Sequence, residues 1–118
     1  MSEQLACLTT ELEPGSAMLA ELTEASGTDV PVAIIRGDDG EFYAIGDLCS
    51  HGEVSLSEGE VTGCFVECWA HGSRFDARTG EPIDFPAITP VPVYPLRVDG
   101  DRVLVDVDNP TTSTKELT

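Results

Sequence analysis

The chain has 118 residues, which suits one domain and leaves no room for two. Its 22 acidic and 6 basic residues give a formal net charge of −16, so the phosphates of nucleic acids and of anionic membranes would repel it, and we expect neither as a partner. A basic protein surface is the partner that such a charge would attract, although acidic side chains also simply keep a protein in solution.

The sequence carries no recognisable targeting or membrane signal. No stretch approaches the ~18 apolar residues that a membrane helix needs, and residues 1–5 lack the basic and apolar regions of an export signal. We therefore expect a cytoplasmic protein. Because thiols stay reduced in the cytoplasm, the 4 cysteines indicate metal or redox chemistry rather than disulfides.

Short β-strands are predicted along the first part of the chain. Residues 17–25 carry leucines at a spacing that suits a helix or a strand, and we favour a strand because the sequence that follows is rich in β-formers. Residues 30–36 form an apolar, branched run, residues 37–40 predict a turn, and residues 41–45 predict the returning strand. Together they predict an antiparallel hairpin.

A different kind of sequence lies between residues 46 and 76. It is rich in glycine and carries both histidines and three of the four cysteines. We interpret it as a small metal-bearing insertion on an antiparallel β base, within a single domain that covers residues 1–108.

A second hairpin is predicted towards the end of the chain. Residues 91–98 predict a strand, Asp99 and Gly100 predict the turn, and residues 102–107 alternate as the partner strand. Residues 109–118 are expected to form a disordered tail.

Two short motifs in the inserted segment carry the candidate metal ligands. They read Cys49-Ser50-His51-Gly52 and Cys68-Trp69-Ala70-His71-Gly72-Ser73. Each supplies one thiolate and one imidazole, and four such ligands could hold two sulfide-bridged irons, with both thiolates on one iron and both imidazoles on the other. The glycine after each histidine lets the backbone turn and bring N–H groups towards the sulfides.

A zinc site is the alternative, since two cysteines and two histidines are a common zinc set. Structural zinc sites usually pair like ligands within one loop, whereas each motif here mixes the two types. This mixing favours the iron–sulfur cluster.

With these motifs the chain resembles the Rieske family, whose signature is a Cys-x-His motif followed by a Cys-x-x-His motif. The similarity extends from residues 30–45 through residues 73–82 to residues 86–98, which resemble the proline loop and following strand of Rieske ferredoxins that serve bacterial oxygenases. The resemblance implies an all-β fold, with an antiparallel β-sandwich or barrel base that carries a small inserted cluster-binding subdomain at about residues 46–76.

The resemblance also implies the ligand set. One [2Fe–2S] cluster would be held by Cys49 and Cys68 on one iron and by His51 and His71, through Nδ1, on the other. The residues expected around the cluster are Gly52, Trp69, Gly72, Ser73, Phe75 and Pro86.

Two cysteines are left over. Cys64 lies four residues before Cys68 but has no histidine at the right spacing, so we expect a free thiol beside the site. Cys7 is expected to be a small buried hydrophobe.

A reduction potential near the low end of the Rieske range, about −150 mV, is expected for such a cluster. Respiratory Rieske proteins carry a bracing disulfide at the positions of Val54 and Ala70 and a tyrosine hydroxyl at the position of Phe75, and this chain has neither. Losing a hydrogen-bond donor to the cluster sulfurs makes the reduced state less favourable. The acids of the inserted segment act in the same direction, with Asp47, Glu53, Glu58, Glu60, Glu67 and Asp76 set against Arg74.

The resemblance implies a soluble one-electron carrier rather than an enzyme. The chain has only 2 histidines, both in the ligand set, so none is left for a mononuclear iron or a hydrolytic triad. No nucleotide-binding glycine motif is present either. We expect a flavoprotein reductase as donor and a non-haem iron oxygenase as acceptor, with another route, such as iron–sulfur cluster assembly, as the alternative.

Overall fold

The regular secondary structure of the described residues is almost entirely β-strand, as expected for sequences rich in alternating and β-branched side chains. The structure, a computed structural model, describes residues 3–47, 55–67, 74–81, 83 and 91–108. The strands are β1 (Glu3–Leu8), β2 (Ser16–Thr23), β3 (Asp29–Arg36), β4 (Phe42–Gly46), β5 (Val61–Thr62), β6 (Phe65–Glu67), β7 (Arg74–Asp76), β8 (Leu96–Asp99) and β9 (Arg102–Asp106), with single 3₁₀ turns at Thr9–Glu11 and Leu56–Glu58. No helix in these ranges is long and apolar enough to cross a membrane.

The strands form three antiparallel sheets, with the orders β1-β9-β8, β2-β3-β4 and β5-β6-β7. The expected all-β, antiparallel architecture is therefore confirmed. The third sheet lies within residues 46–76, the segment expected to form the insertion. The predicted tail at residues 109–118 lies outside the described residues.

β3 contributes buried side chains to both apolar cores. Val32 and Ile34 lie in a cluster with residues of β9, whereas Ala33 and Ile35 lie in a second cluster with residues of β6 and β7. All four side chains are fully buried. A strand covered on both faces reads as a continuous apolar run rather than an alternating one, as this sequence does.

β2 confirms the strand predicted near residues 17–25. It pairs with β3 from Ser16 opposite Arg36 to Thr23 opposite Asp29. The hairpin predicted from residues 30–45 is confirmed as well, since β3 pairs directly with β4.

The strand predicted at residues 91–98 is shorter in the structure, because β8 begins only at Leu96. The chain before it runs along the edge of β4, where the backbone N–H of Gly46 donates to the carbonyl of Pro92 at 2.8 Å. Pro92 and Pro95 have no N–H to donate, so this stretch cannot continue a regular ladder.

The turn of the second hairpin lies one residue later than predicted. Asp99 pairs with Arg102, which leaves Gly100 and Asp101 as the two-residue loop. Gly100 has a φ of 66°, a left-handed conformation that glycine adopts without steric cost.

β1 is a strand that the sequence pattern did not predict. It pairs with β9, and its register shifts between Leu5 and Cys7, which interrupts the alternation that would have revealed it. Cys7 is 4% exposed and lies in the first core cluster, so the expectation of a buried hydrophobe is confirmed.

Candidate metal centre

The predicted ligands and most of their expected neighbours lie outside the described residues; these are Cys49, His51, Cys68, His71, Gly52, Trp69, Gly72, Ser73 and Pro86. The structure does describe the residues that flank them. We call residues 48–54 the first ligand segment and residues 68–73 the second ligand segment.

Asp47 and Ser55 flank the first ligand segment and are joined by hydrogen bonds. The Asp47 carbonyl accepts from the backbone N–H of Leu56 at 2.6 Å, and its carboxylate Oδ1 accepts from that of Ser57 at 2.9 Å. The Ser55 hydroxyl donates to Asp47 Oδ2. We call this set of contacts the Asp47 clasp.

The Asp47 clasp also caps the 3₁₀ turn Leu56–Glu58. Ser55, at the cap position, makes no capping bond of its own, and the Asp47 carboxylate satisfies the Ser57 N–H instead. In the sequence, Asp47 is distinguished only as one of several acids in the inserted segment. The available signal was the Ser-x-Ser stretch at positions 55 and 57, which offers hydroxyl and N–H donors shortly after the motif.

Glu67 and Arg74 flank the second ligand segment and face each other across the β6–β7 ladder. The ladder continues through Val66 opposite Phe75. The second ligand segment is therefore the connection of an antiparallel hairpin.

The stretch that follows the 3₁₀ turn Leu56–Glu58 contacts Glu67, which precedes the second ligand segment. The backbone N–H of Glu67 donates to the carbonyl of Glu60 at 2.8 Å, and Gly59 lies against the Glu67 carbonyl. The short stretch from the 3₁₀ turn to Glu60 thus begins shortly after the first ligand segment and ends in contact with Glu67, just before the second.

Phe75 is the one described residue among those expected around the cluster. Its ring is fully buried in the second core cluster with Leu56, Val66 and Val91. A phenyl ring has no hydrogen-bond donor, so Phe75 contributes packing at this position and no polar contact.

Cys64 is a free, partly exposed thiol at the start of β6. Glu67 lies at the other end of β6, and a strand of three residues spans roughly 10 Å. The Cys64 thiol lies 3.9 Å from Asp76 Oδ1. Cys64 therefore lies at the end of β6 opposite to Glu67, the residue that precedes the second ligand segment.

Asp76 is the second buried carboxylate in the described ranges. It accepts from Arg78 Nε at 3.0 Å, Nη2 at 2.9 Å and the backbone N–H at 2.9 Å. Burial raises the pKa of the Asp76 carboxyl, but the hydrogen bonds and charge of Arg78 outweigh it and hold that pKa below its usual value. Burial, together with Asp76, raises the pKa of the Cys64 thiol, which keeps it protonated at neutral pH and a poor metal ligand.

Comparison with known proteins identifies the family. The Rieske [2Fe-2S] domain family matches residues 2–95 of the chain. The chain belongs to the Rieske [2Fe–2S] family. The resemblance expected from the two motifs is thereby confirmed, and the cofactor of this Rieske protein is one [2Fe–2S] cluster.

Relatives of this Rieske protein include ferredoxin subunits of dioxygenase systems. The biphenyl dioxygenase ferredoxin subunit of Pseudomonas sp. (strain KKS102) is 44% identical over 102 residues, which cover 86% of this chain and 88% of the relative. The ferredoxin component of the p-cumate 2,3-dioxygenase system of Pseudomonas putida is 39% identical, over 86% of this chain and 82% of the relative.

A solved structure shows the same fold. It is the complex of reduced oxygenase and oxidised ferredoxin in carbazole 1,9a-dioxygenase, in which the matching chain has a TM-score of 0.77 and 32% identity over 92% of this chain and 95% of its own length.

The residues present fit a [2Fe–2S] cluster on two counts. The donor set offers two thiolates and two imidazoles, which is the Rieske combination. The flanks of the segments that carry them are held together by the contacts of Asp47, Gly59 and Glu60. Two segments rooted side by side can contribute ligands to one centre.

Proposed function

We propose that this Rieske ferredoxin takes single electrons from a flavoprotein reductase and passes them to a non-haem iron oxygenase of the ring-hydroxylating kind. The observation that carries the proposal is the 44% identity to a biphenyl dioxygenase ferredoxin subunit over nearly the full length of both chains. The match to a chain from a ferredoxin–oxygenase complex supports the acceptor.

Electron counting explains why a separate carrier is needed. A nicotinamide donor releases two electrons as hydride, and a flavin accepts both and can release them one at a time. Each electron then moves on one ferredoxin molecule, so two carrier trips deliver the pair.

We assign the cluster to Cys49 and Cys68 on one iron and to His51 and His71 on the other. Once bound there, the cluster supplies reversible one-electron chemistry. Two neutral imidazoles in place of two thiolates make the site less negative, which favours reduction relative to a four-cysteine site.

Other residues limit how far the potential rises. Phe75 offers no hydroxyl to a cluster sulfur, and acids outnumber bases around the ligand segments. We therefore propose a potential near the low end of the Rieske range, about −150 mV.

Charge supports basic docking partners. With 22 acidic and 6 basic residues, the chain is attracted to positive surfaces, and the attraction weakens as salt screens it. We propose that both partners meet the tip of the ligand segments around Gly52, His51, His71 and Pro86, in the cytoplasm.

The test is reconstitution with a biphenyl-type reductase and oxygenase. Aerobically purified protein should absorb visible light, become reduced by NADH only when the reductase is present, and support oxygenase turnover. A colourless product after anaerobic reconstitution with iron and sulfide, or bound zinc, would contradict the cluster. If the reductase reduces the ferredoxin but none of the ring-hydroxylating oxygenases tested turns over with it, the proposed acceptor is contradicted.

The ligand assignment has a matched pair of variants. Cys68→Ser should abolish the visible absorption, whereas Cys64→Ser, which changes a thiol four residues earlier, should keep it. The opposite pattern would overturn the assignment.

A further inference from the structure

Asp47 is 3% exposed, and it is the more deeply buried of the two carboxylates that the described ranges bury. A buried carboxylate needs hydrogen-bond donors to replace water. Asp47 finds them in Ser55 and Ser57, eight and ten residues later in the chain. Its hydrogen bonds therefore span the whole first ligand segment.

The donors are themselves connected, which makes the Asp47 clasp a small network. The hydroxyl groups of Ser55 and Ser57 lie 2.7 Å apart. On the other side, the backbone N–H of Asp47 donates to the carbonyl of Pro31 at 3.2 Å. The Asp47 clasp thus connects Ser55 and Ser57, which follow the first ligand segment, to strand β3.

The 3₁₀ turn that Asp47 caps extends this restraint to the second ligand segment. Leu56 is fully buried in the second core cluster. Gly59 and Glu60 then contact Glu67, which directly precedes the second ligand segment. A movement at Asp47 would therefore alter the spacing between the two ligand segments.

We propose that Asp47 is a positioning residue for the cluster, because the Asp47 clasp sets the distance between the two ligand segments, each of which bears one thiolate and one imidazole. The inference rests on the ligand assignment proposed above. Asp47 itself ligates nothing; it acts through Ser55, Ser57 and the 3₁₀ turn.

Asp76 provides a matched control. It is also a buried carboxylate with several hydrogen bonds, but its partners Arg78 and Cys64 lie at the end of the third sheet away from the second ligand segment. Loss of Asp76 should lower stability without changing the spacing of the ligand segments.

The experiment compares cluster-loaded Asp47→Ala, Asp47→Asn, Ser55→Ala and Asp76→Asn with the wild-type protein. The readouts are the rate of iron release to a chelator, the electron paramagnetic resonance spectrum of the reduced protein, and the thermal unfolding midpoint. Neither the reductase nor the oxygenase is needed.

Asp47→Ala should release iron about 10- to 100-fold faster than wild type, in proportion to the loss of metal affinity that follows when a residue that orients metal ligands is removed. Its resonance lines should broaden as the ligand geometry becomes heterogeneous. Ser55→Ala should fall between Asp47→Ala and wild type. If Asp47→Ala does not fold, Ser55→Ala alone carries the test.

Asp47→Asn should recover most of the iron retention and the narrow spectrum. Its amide oxygen can still accept from the Ser57 N–H, and its NH₂ group can donate to the Ser55 hydroxyl. A purely structural role for Asp47 would not separate the two variants in this way.

Two results would overturn the inference. One is wild-type iron release and spectrum in Asp47→Ala or in Ser55→Ala. The other is an Asp76→Asn variant that releases iron as fast as Asp47→Ala does and whose melting temperature has fallen by the same amount as that of Asp47→Ala. If instead the wild-type protein holds no [2Fe–2S] cluster, the proposed function fails before the variants are compared.

Discussion

Gly59 lies so close to the carbonyl oxygen of Glu67 that a β-carbon at position 59 would come within 1.7 Å of it. The contact joins the end of the 3₁₀ turn after the first ligand segment to the residue before the second, and it needs a residue without a side chain. Backbone rather than a flexible side chain fills the space, so the neighbour cannot easily move.

Replacing Gly59 with alanine should therefore destabilise the protein by about 3 kcal/mol, the upper part of the usual range for overpacking. Chemical denaturation of the cluster-loaded protein would measure this change in the free energy of unfolding. Gly27→Ala is the control, since φ there is 95° and nothing lies within 4 Å of the added carbon, so backbone strain alone should cost about 1 kcal/mol. Equal losses in the two variants would contradict the close contact.

Arg78→Ala should destabilise the protein at pH 7 by more than the loss of a fully exposed ion pair does, because it leaves the buried Asp76 carboxylate without its charged partner. Arg78 holds the Asp76 pKa below its usual value, although burial raises it. The stabilisation is therefore complete above about pH 4, the ordinary carboxyl pKa, and is lost as the pH falls below it.

The difference in unfolding free energy between wild type and Arg78→Ala should accordingly shrink on acidification below about pH 4. Arg102→Ala is the control, because its 3.4 Å pair with Asp99 is exposed on both sides and should contribute less than about 1 kcal/mol. A difference that grows on acidification would contradict the assignment.

The Cys64 thiol should alkylate slowly at neutral pH and faster as the pH rises, with a midpoint above the ordinary thiol value of about 8.5. Burial and the nearby Asp76 carboxylate both raise its pKa. Asp76→Asn should lower the midpoint by removing the negative charge. Labelling of the cluster-loaded protein with iodoacetamide, followed by mass spectrometry, would give the rate. Cys64→Ser should remove the signal, because Cys7 is buried and Cys49 and Cys68 are assigned to the cluster.

Phe75→Tyr should raise the reduction potential if the new hydroxyl reaches a cluster sulfur. A single hydrogen bond contributes about 1 kcal/mol, which is roughly 40 mV for one electron. Protein-film voltammetry would measure the shift. Phe42→Tyr is the control, since its ring packs under the Arg36 guanidinium at 4.6 Å in the other core, and its potential should stay at the wild-type value.

Much of the fold could be predicted because local pattern and tertiary environment agree. Leu19 and Leu22 suit a helix by spacing alone, yet they lie on opposite faces of β2, where they are 43% and 5% exposed. The continuous apolar run of β3 correctly indicated a strand and is typical of one covered on both faces, but only the folded chain shows which residues cover each face.

The strand errors have local causes. Pro92 and Pro95 sit in a stretch whose side chains suit a strand, but their missing N–H groups prevent a regular ladder before Leu96. In β1, the register shift between Leu5 and Cys7 breaks the alternation on which such a prediction depends.

At the candidate site, the ligand motifs could be found because each lies within a few consecutive residues. Asp47 could not be found in this way. Its role depends on Ser55 and Ser57 returning to it after the first ligand segment, and on the contact between Gly59 and Glu67. Such closure is a property of the folded chain rather than of any short stretch.

β3, whose alternate side chains serve both cores, has a consequence for the speed of electron transfer. A strand packed on both sides cannot shift without disturbing two interiors, and close-packed interiors are stiff. The strands that carry the ligand segments should therefore move very little when the cluster gains or loses an electron. A small reorganisation energy lets a carrier exchange electrons quickly with partners even when their reduction potentials differ only slightly from its own.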